Sequence, residues 1–139
     1  MKIIDINNSD FNTFIKEIKQ KIQVSKSKAS LSVNRKLIEL YFEIGREIVA
    51  KQEAFGWGRS IVEEMAKDLQ IEFGKRSGFS SQNLWYMRQF FMTYKESSNL
   101  QQLVGEIPWG QNILIFSKSK DENERNYYLQ NTRDKRGIE

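Results

Sequence analysis

A single proline stands in the chain, Pro108, and apolar residues on both sides of it recur at spacings of three and four. Proline removes a backbone donor and locks φ, so its near-absence leaves long stretches free to run as helix. Eight glycines across 139 residues add few further breaks, which argues against a turn-rich all-β fold. The expected fold is all-α, a compact bundle of about six helices with a helix-turn-helix-like unit. Hydrophobic residues make up 39% and aromatics 12% of the chain, enough to offset the ordering entropy of one globular domain. We expect an N-terminal extension at residues 1–9, a helical domain at 10–131 and a charged, frayed tail at 132–139.

The first helix is expected to start at Ser9 or Asp10, either of which can cap it. Its stripe is Phe11, Phe14, Ile15, Ile18 and Ile22. The polar run Ser25–Lys28 marks a bend or is bridged by one long helix, since no Gly or Pro forces a break. A second segment, Ala29–Ala54, repeats Ala29, Val33, Leu37, Leu40, Ile44 and Ile48 at near-heptad spacing, and Leu31, Ile38, Tyr41 and Phe42 widen its apolar face. Gly56-Trp57-Gly58 ends it. Ser60 and Glu63 fit a capping box opening the third helix. The fourth is capped by Ser80 and runs to Tyr94, with Leu84, Met87, Phe91 and Tyr94 facing inward. A short turn covers Leu100–Val104. Pro108 suits a first helical position, before an apolar stretch Trp109–Ser117 that reads as a short helix or a buried strand. Asp121 and Glu124 fit a second capping box at the start of the last helix.

Charge is distributed unevenly. The formal net charge is +4. Residues 31–72 carry six bases against eight acids, whereas residues 73–95 carry Lys75, Arg76, Arg88 and Lys95 and no acid. A basic loop leading into a helix favours phosphate, because the helix N-terminus adds partial positive charge. With Leu84 and Met87 inward, Gln82, Trp85, Tyr86, Gln89 and Thr93 fall on or near the outer side. Glutamine pairs with adenine edges and arginine with guanine; aromatics stack on unpaired bases. Lys75, Arg76, Ser81, Gln82, Trp85, Arg88, Gln89 and Lys95 are therefore the candidate DNA-binding residues, on the recognition helix of a helix-turn-helix-like unit. The connecting loop is longer than the roughly 3–4 residues of the standard motif. An ordinary solvated helix is the competing reading.

The chain has no cysteine and no histidine. Thiolate metal sites, cysteine nucleophiles and the commonest general base are thus excluded. No Gly-rich phosphate loop of Walker or dinucleotide type is present. We expect no catalytic residue, no metal site and no cofactor. No stretch approaches the roughly 20 apolar residues of a membrane span, and the N-terminus lacks a signal-peptide apolar run. A cytoplasmic setting without a membrane partner is expected.

Three blocks carry a resemblance: Ser32–Arg46 (SVNRKLIELYFEIGR), Gly78–Phe90 (GFSSQNLWYMRQF) and Leu103–Ile113 (LVGEIPWGQNI). With Gly56-Trp57-Gly58 between the first two, they resemble the amino-terminal domain of the YhcG family, over about residues 10–130. The resemblance implies a bacterial helical front domain, winged-helix or helix-turn-helix-like, joined to a PD-(D/E)XK nuclease domain. The front domain would bind DNA or a partner. Relatives often carry histidine after Pro-Trp-Gly, where Gln111 stands here, which argues against proton transfer at that site. The nuclease domain is expected to be absent from this chain, so the chain itself is not expected to be an enzyme. Glu17-Ile18-Lys19 matches the nuclease acid-x-lysine only by letter, on an amphipathic helix without a strand. The expected function is a DNA-binding module of a YhcG-like nuclease. The alternative is a dimerisation or protein-interaction module, a homodimer pairing the Ala29–Ala54 stripe with its twin.

Overall fold

A computed structural model of the chain describes residues 8–135. Residues 1–7 of the expected extension and 136–139 of the expected tail lie outside the described residues. Six helices and no strand occur among the described residues: α1 (Asn8–Phe55), α2 (Ser60–Phe73), α3 (Ser81–Tyr94), α4 (Ser98–Val104), α5 (Trp109–Lys118) and α6 (Glu122–Lys135).

The two N-terminal segments form one helix. The polar run Ser25–Lys28 is helical throughout, because its residues supply neither a proline clash nor a glycine. Ser9 and Asp10 lie inside α1 rather than capping it. The described residues divide into two compact units, one up to Val33 and one from Asn34 onward. In the first, Phe11, Phe14, Ile22 and Val24 are exposed, and Ile15 and Ile18 are half-buried.

In the second unit, the buried face of α1 is Ile38, Tyr41, Gly45, Ile48 and Val49. This corrects the expected stripe: Leu37 and Leu40 are exposed and Ile44 is half-buried. Both rows have helical spacing, so periodicity alone could not choose between them. Packing against α3 makes the choice. A Cβ on Gly45 would lie 2.1 Å from the Met87 carbonyl oxygen and 3.0 Å from the Phe91 Cβ. Only a residue without a side chain lets the two helices approach this closely.

Two apolar clusters share α3 as a wall. One gathers Phe90 and Tyr94 with Ile38, Leu103, Ile107, Ile115, Phe116 and Leu129. The other gathers Leu84 and Met87 with Tyr41, Ile48, Val62 and Ala66. Trp109 packs against both. The inward row of α3 is thus Leu84, Met87, Phe90 and Tyr94, with Phe90 taking the place expected for Phe91. Phe91 is half-buried and meets Phe42 edge-on at 5.1 Å.

The turn between α4 and α5 is held by two asparagines. Asn34 Nδ2 donates to the carbonyls of Gly105 (3.1 Å) and Ile107 (2.9 Å). The fully buried Asn112 Nδ2 donates to Val104 (3.1 Å) and Ile107 (3.0 Å). Turn carbonyls that no helix can satisfy are satisfied here by side chains. The stretch Trp109–Ser117 is helix, not strand, and Pro108 is the N-cap of α5, one position before the first helical residue. The Ser60–Glu63 capping box does not form; Arg59 is the N-cap of α2 and no side chain caps it. The Asp121 cap does form, with Oδ1 accepting from the Glu124 amide at 2.9 Å. Helix α6 continues through Lys135, past residue 132 where the tail was expected to begin.

Candidate nucleic-acid interface

The loop between α2 and α3 runs from Gly74 to Ser80 and is tied down at both ends. The Gly74 amide donates to the Gln70 carbonyl at 2.8 Å, and the Ser77 hydroxyl donates to the Gly74 carbonyl at 2.6 Å. At the far end, Ser80 caps α3 as its sequence position predicted: Oγ accepts from the Asn83 amide at 3.1 Å. Asn83 then bridges two elements. Its Nδ2 donates to the Gly78 carbonyl at 2.6 Å, and its Oδ1 accepts from Trp109 Nε1 at 2.7 Å. Gly78 has φ +91°, and a Cβ there would sit 2.9 Å from the Tyr41 hydroxyl. Both conditions call for glycine. Burial pushes the Tyr41 phenol above its ordinary value, partly offset by hydrogen bonding with Asn83.

On this fixed loop Lys75 and Arg76 stand exposed. They border a shallow depression of about 270 Å³ with Gly78, Ser80, Gln82, Asn83 and Tyr86. A second depression, about 520 Å³, lies further along α3 and is lined by Arg59, Trp85, Arg88, Gln89, Met92 and Thr93. The outer face of α3 therefore borders both, through Gln82 and Tyr86 in the first and Trp85 and Gln89 in the second.

Six of the eight candidate residues fall in these two depressions. Ser81 and Lys95 line neither. Ser81 is half-buried at the first turn of α3, and Lys95 is exposed at its C-cap, about 20 Å of helix from the loop. Three outward residues are less free than their positions suggested. Tyr86 packs edge-on against Phe116 at 6.3 Å, and its hydroxyl accepts from Gln82 Nε2 at 3.2 Å. Trp85 is half-buried beneath two guanidinium groups, with Arg59 5.5 Å and Arg88 5.4 Å from its ring centroid. Arg88 is half-buried and donates from Nε to Gln52 Oε1 at 2.7 Å.

Arg59 was missed by sequence reasoning. It sits in the acidic stretch 31–72, and only the fold carries it to α3. Among the described residues, the ion pairs involve other cations, so Arg59, Lys75, Arg76, Arg88 and Lys95 have no carboxylate partner within 4.0 Å. No helix is long and apolar enough to cross a membrane among the described residues.

The family described as the DUF1016 N-terminal domain matches residues 17–136. The protein named "Putative nuclease YhcG" from Escherichia coli (strain K12) is 31% identical over 80 residues. That alignment covers 55% of this chain and 21% of the relative, so the chain spans about a fifth of the length of the protein it matches. No solved structure matches.

Proposed function

The chain belongs to the family of the DUF1016 N-terminal domain, and from that premise we propose that it is a DNA-binding module of a YhcG-like nuclease. It recognises and holds nucleic acid, and a PD-(D/E)XK domain elsewhere in such a protein cuts it. The supporting observation is the outer face of α3 with its preceding loop. Lys75, Arg76 and Arg88 lie there without carboxylate partners among the described residues, beside Gln82 and Gln89. Unpaired cations on a surface attract a polyanion and release its counterions. The loop reaches α3 with its backbone already tied at Gly74, Gly78 and Ser80, so little ordering entropy opposes binding. Helices α2 and α3 act as the helix-turn-helix-like unit, with a seven-residue connection, and Ser81 and Lys95 add contacts at the two ends of α3.

The test is a duplex-DNA titration at two salt concentrations, run beside the variant K75E/R76E/R88E. With three phosphate contacts, a fourfold rise in salt weakens binding about 40-fold. The variant loses binding at both salts. Binding that ignores salt, or that survives the triple reversal, rejects the proposal.

A second reading, homodimerisation through α1, is favoured by the exposure of Leu37 and Leu40 on that helix. Sedimentation at high protein concentration decides it, and a monomer there ends it.

A further inference from the structure

We propose that Arg59, Trp85 and Arg88 form a built oxyanion subsite that takes one phosphate group. Two like charges converge on a single indole. The guanidinium carbons of Arg59 and Arg88 lie 5.5 and 5.4 Å from the Trp85 ring centroid, and both arginines line the same depression. Among the described residues neither arginine has a carboxylate within 4.0 Å. The pair is thus left open to an anion from solvent.

The arginines are also held in place. Trp85 provides an aromatic surface for both cations. Gln52 accepts from Arg88 Nε at 2.7 Å and donates from its own Nε2 to the Gly58 carbonyl at 3.3 Å. Helix α1 is thereby linked to the segment that carries Arg59. With Nε engaged, Arg88 keeps its terminal Nη donors for a ligand, in the fork geometry that suits phosphate oxygens. The depression they line, about 520 Å³ and open to solvent, has room for a phosphate.

Trp85 accordingly does not stack on a base. It is a positioning residue for two guanidinium groups, and Arg59 joins the binding residues. The inference relies on the nucleic-acid reading only for the source of the phosphate: a phosphodiester of DNA, or free phosphate and pyrophosphate.

The experiment follows the arginine Nε–Hε NMR signals of the whole chain during titration with inorganic pyrophosphate and, separately, with a short DNA duplex. The signals are assigned with R59Q and R88Q, and folding is checked by circular dichroism. We expect pyrophosphate to shift the Arg59 and Arg88 signals selectively. We also expect R59Q/R88Q to weaken duplex binding at least tenfold at low salt and to lower the salt slope by about 0.9, the value for one phosphate. Shifts with pyrophosphate but no binding of DNA leave the subsite standing and defeat the nucleic-acid reading. Normal DNA binding by R59Q/R88Q, with arginine signals unmoved by either ligand, overturns the subsite and leaves that reading intact.

Discussion

The two sides of α3 obey different rules. On the inner side, Leu84, Met87, Phe90 and Tyr94 are each 0% exposed, and every one is fixed by neighbours from other helices. On the outer side, Gln82, Gln89 and Met92 are exposed, and Trp85 and Arg88 are half-buried, Trp85 between the second apolar cluster and two guanidinium groups and Arg88 bonded to Gln52. A buried face answers to volume: a close-packed interior tolerates neither an added nor a lost methyl group without cost. An outer face answers to charge and reach, so its side chains remain available for a ligand.

The sharpest way to break the contrast is Gly45→Ala, at the contact with the inner side. Alanine is the better helix former by about 1 kcal/mol, so an exposed site would gain stability. Here the new Cβ meets the Met87 carbonyl oxygen, and α1 must move away from α3. We expect a loss of about 3 kcal/mol, at or above the upper end for overpacking, measured by urea unfolding. An unchanged midpoint would mean that α1 and α3 are not packed this closely.

Tyr94 offers a second test of the inner side. Its hydroxyl is buried, with no hydrogen-bond partner among the described residues. Burial pushes the phenol up to about 12 from its ordinary value of 10.0, against the opposing pull of the Arg125 guanidinium. The folded state thus keeps its proton between pH 10 and 12 while the unfolded chain releases it. Stability attributable to this group is intact below pH 10 and falls above it, by about 1.4 kcal/mol per pH unit, until pH passes about 12. Tyr94→Phe cannot ionise, so its stability should fall less steeply over that interval. Parallel pH profiles for the two proteins would refute the assignment. At neutral pH, removing an unpartnered hydroxyl should cost little.

The outer side should give the smallest stability effect. In K75E/R76E/R88E we expect unfolding free energy to change by no more than about 0.5 kcal/mol per exposed position, as for surface substitutions generally. Arg88 should account for most of any loss, through Gln52. A large loss would mark these residues as part of the fold's support and weaken the case that they are kept free for a ligand.

The same contrast runs through the blocks that carry the family likeness. Asn34, Gly45, Gly78, Asn83, Trp109 and Asn112 all belong to those blocks, and each supports the fold. They hold turn carbonyls, admit a close helix, or tie the α2–α3 loop to α5. Of the candidate binding residues, Ser81, Gln82, Trp85, Arg88 and Gln89 fall within the blocks, whereas Lys75, Arg76 and Lys95 lie outside them. Much of the likeness therefore reports how the domain is built, and the proposed binding surface rests on its own charge and exposure.

Local chemistry was enough to read the helices themselves. Spacings of three and four, one proline, Ser80 and Asp121 at helix starts, and glycines between elements all act through neighbours a few residues away. The same locality kept the basic loop and outer face of α3 visible as an acid-free run. What local pattern cannot specify is which of two helical rows is buried. The choice of Ile38, Tyr41 and Ile48 over Leu37 and Leu40, and of Phe90 over Phe91, depends on where another helix lies. The placing of both Arg59 and Arg88 beside Trp85 is of the same kind, because it brings together residues 29 positions apart in the chain. Periodicity is a property of one helix, but burial and convergent charge belong to pairs of them, and only the packed chain decides those.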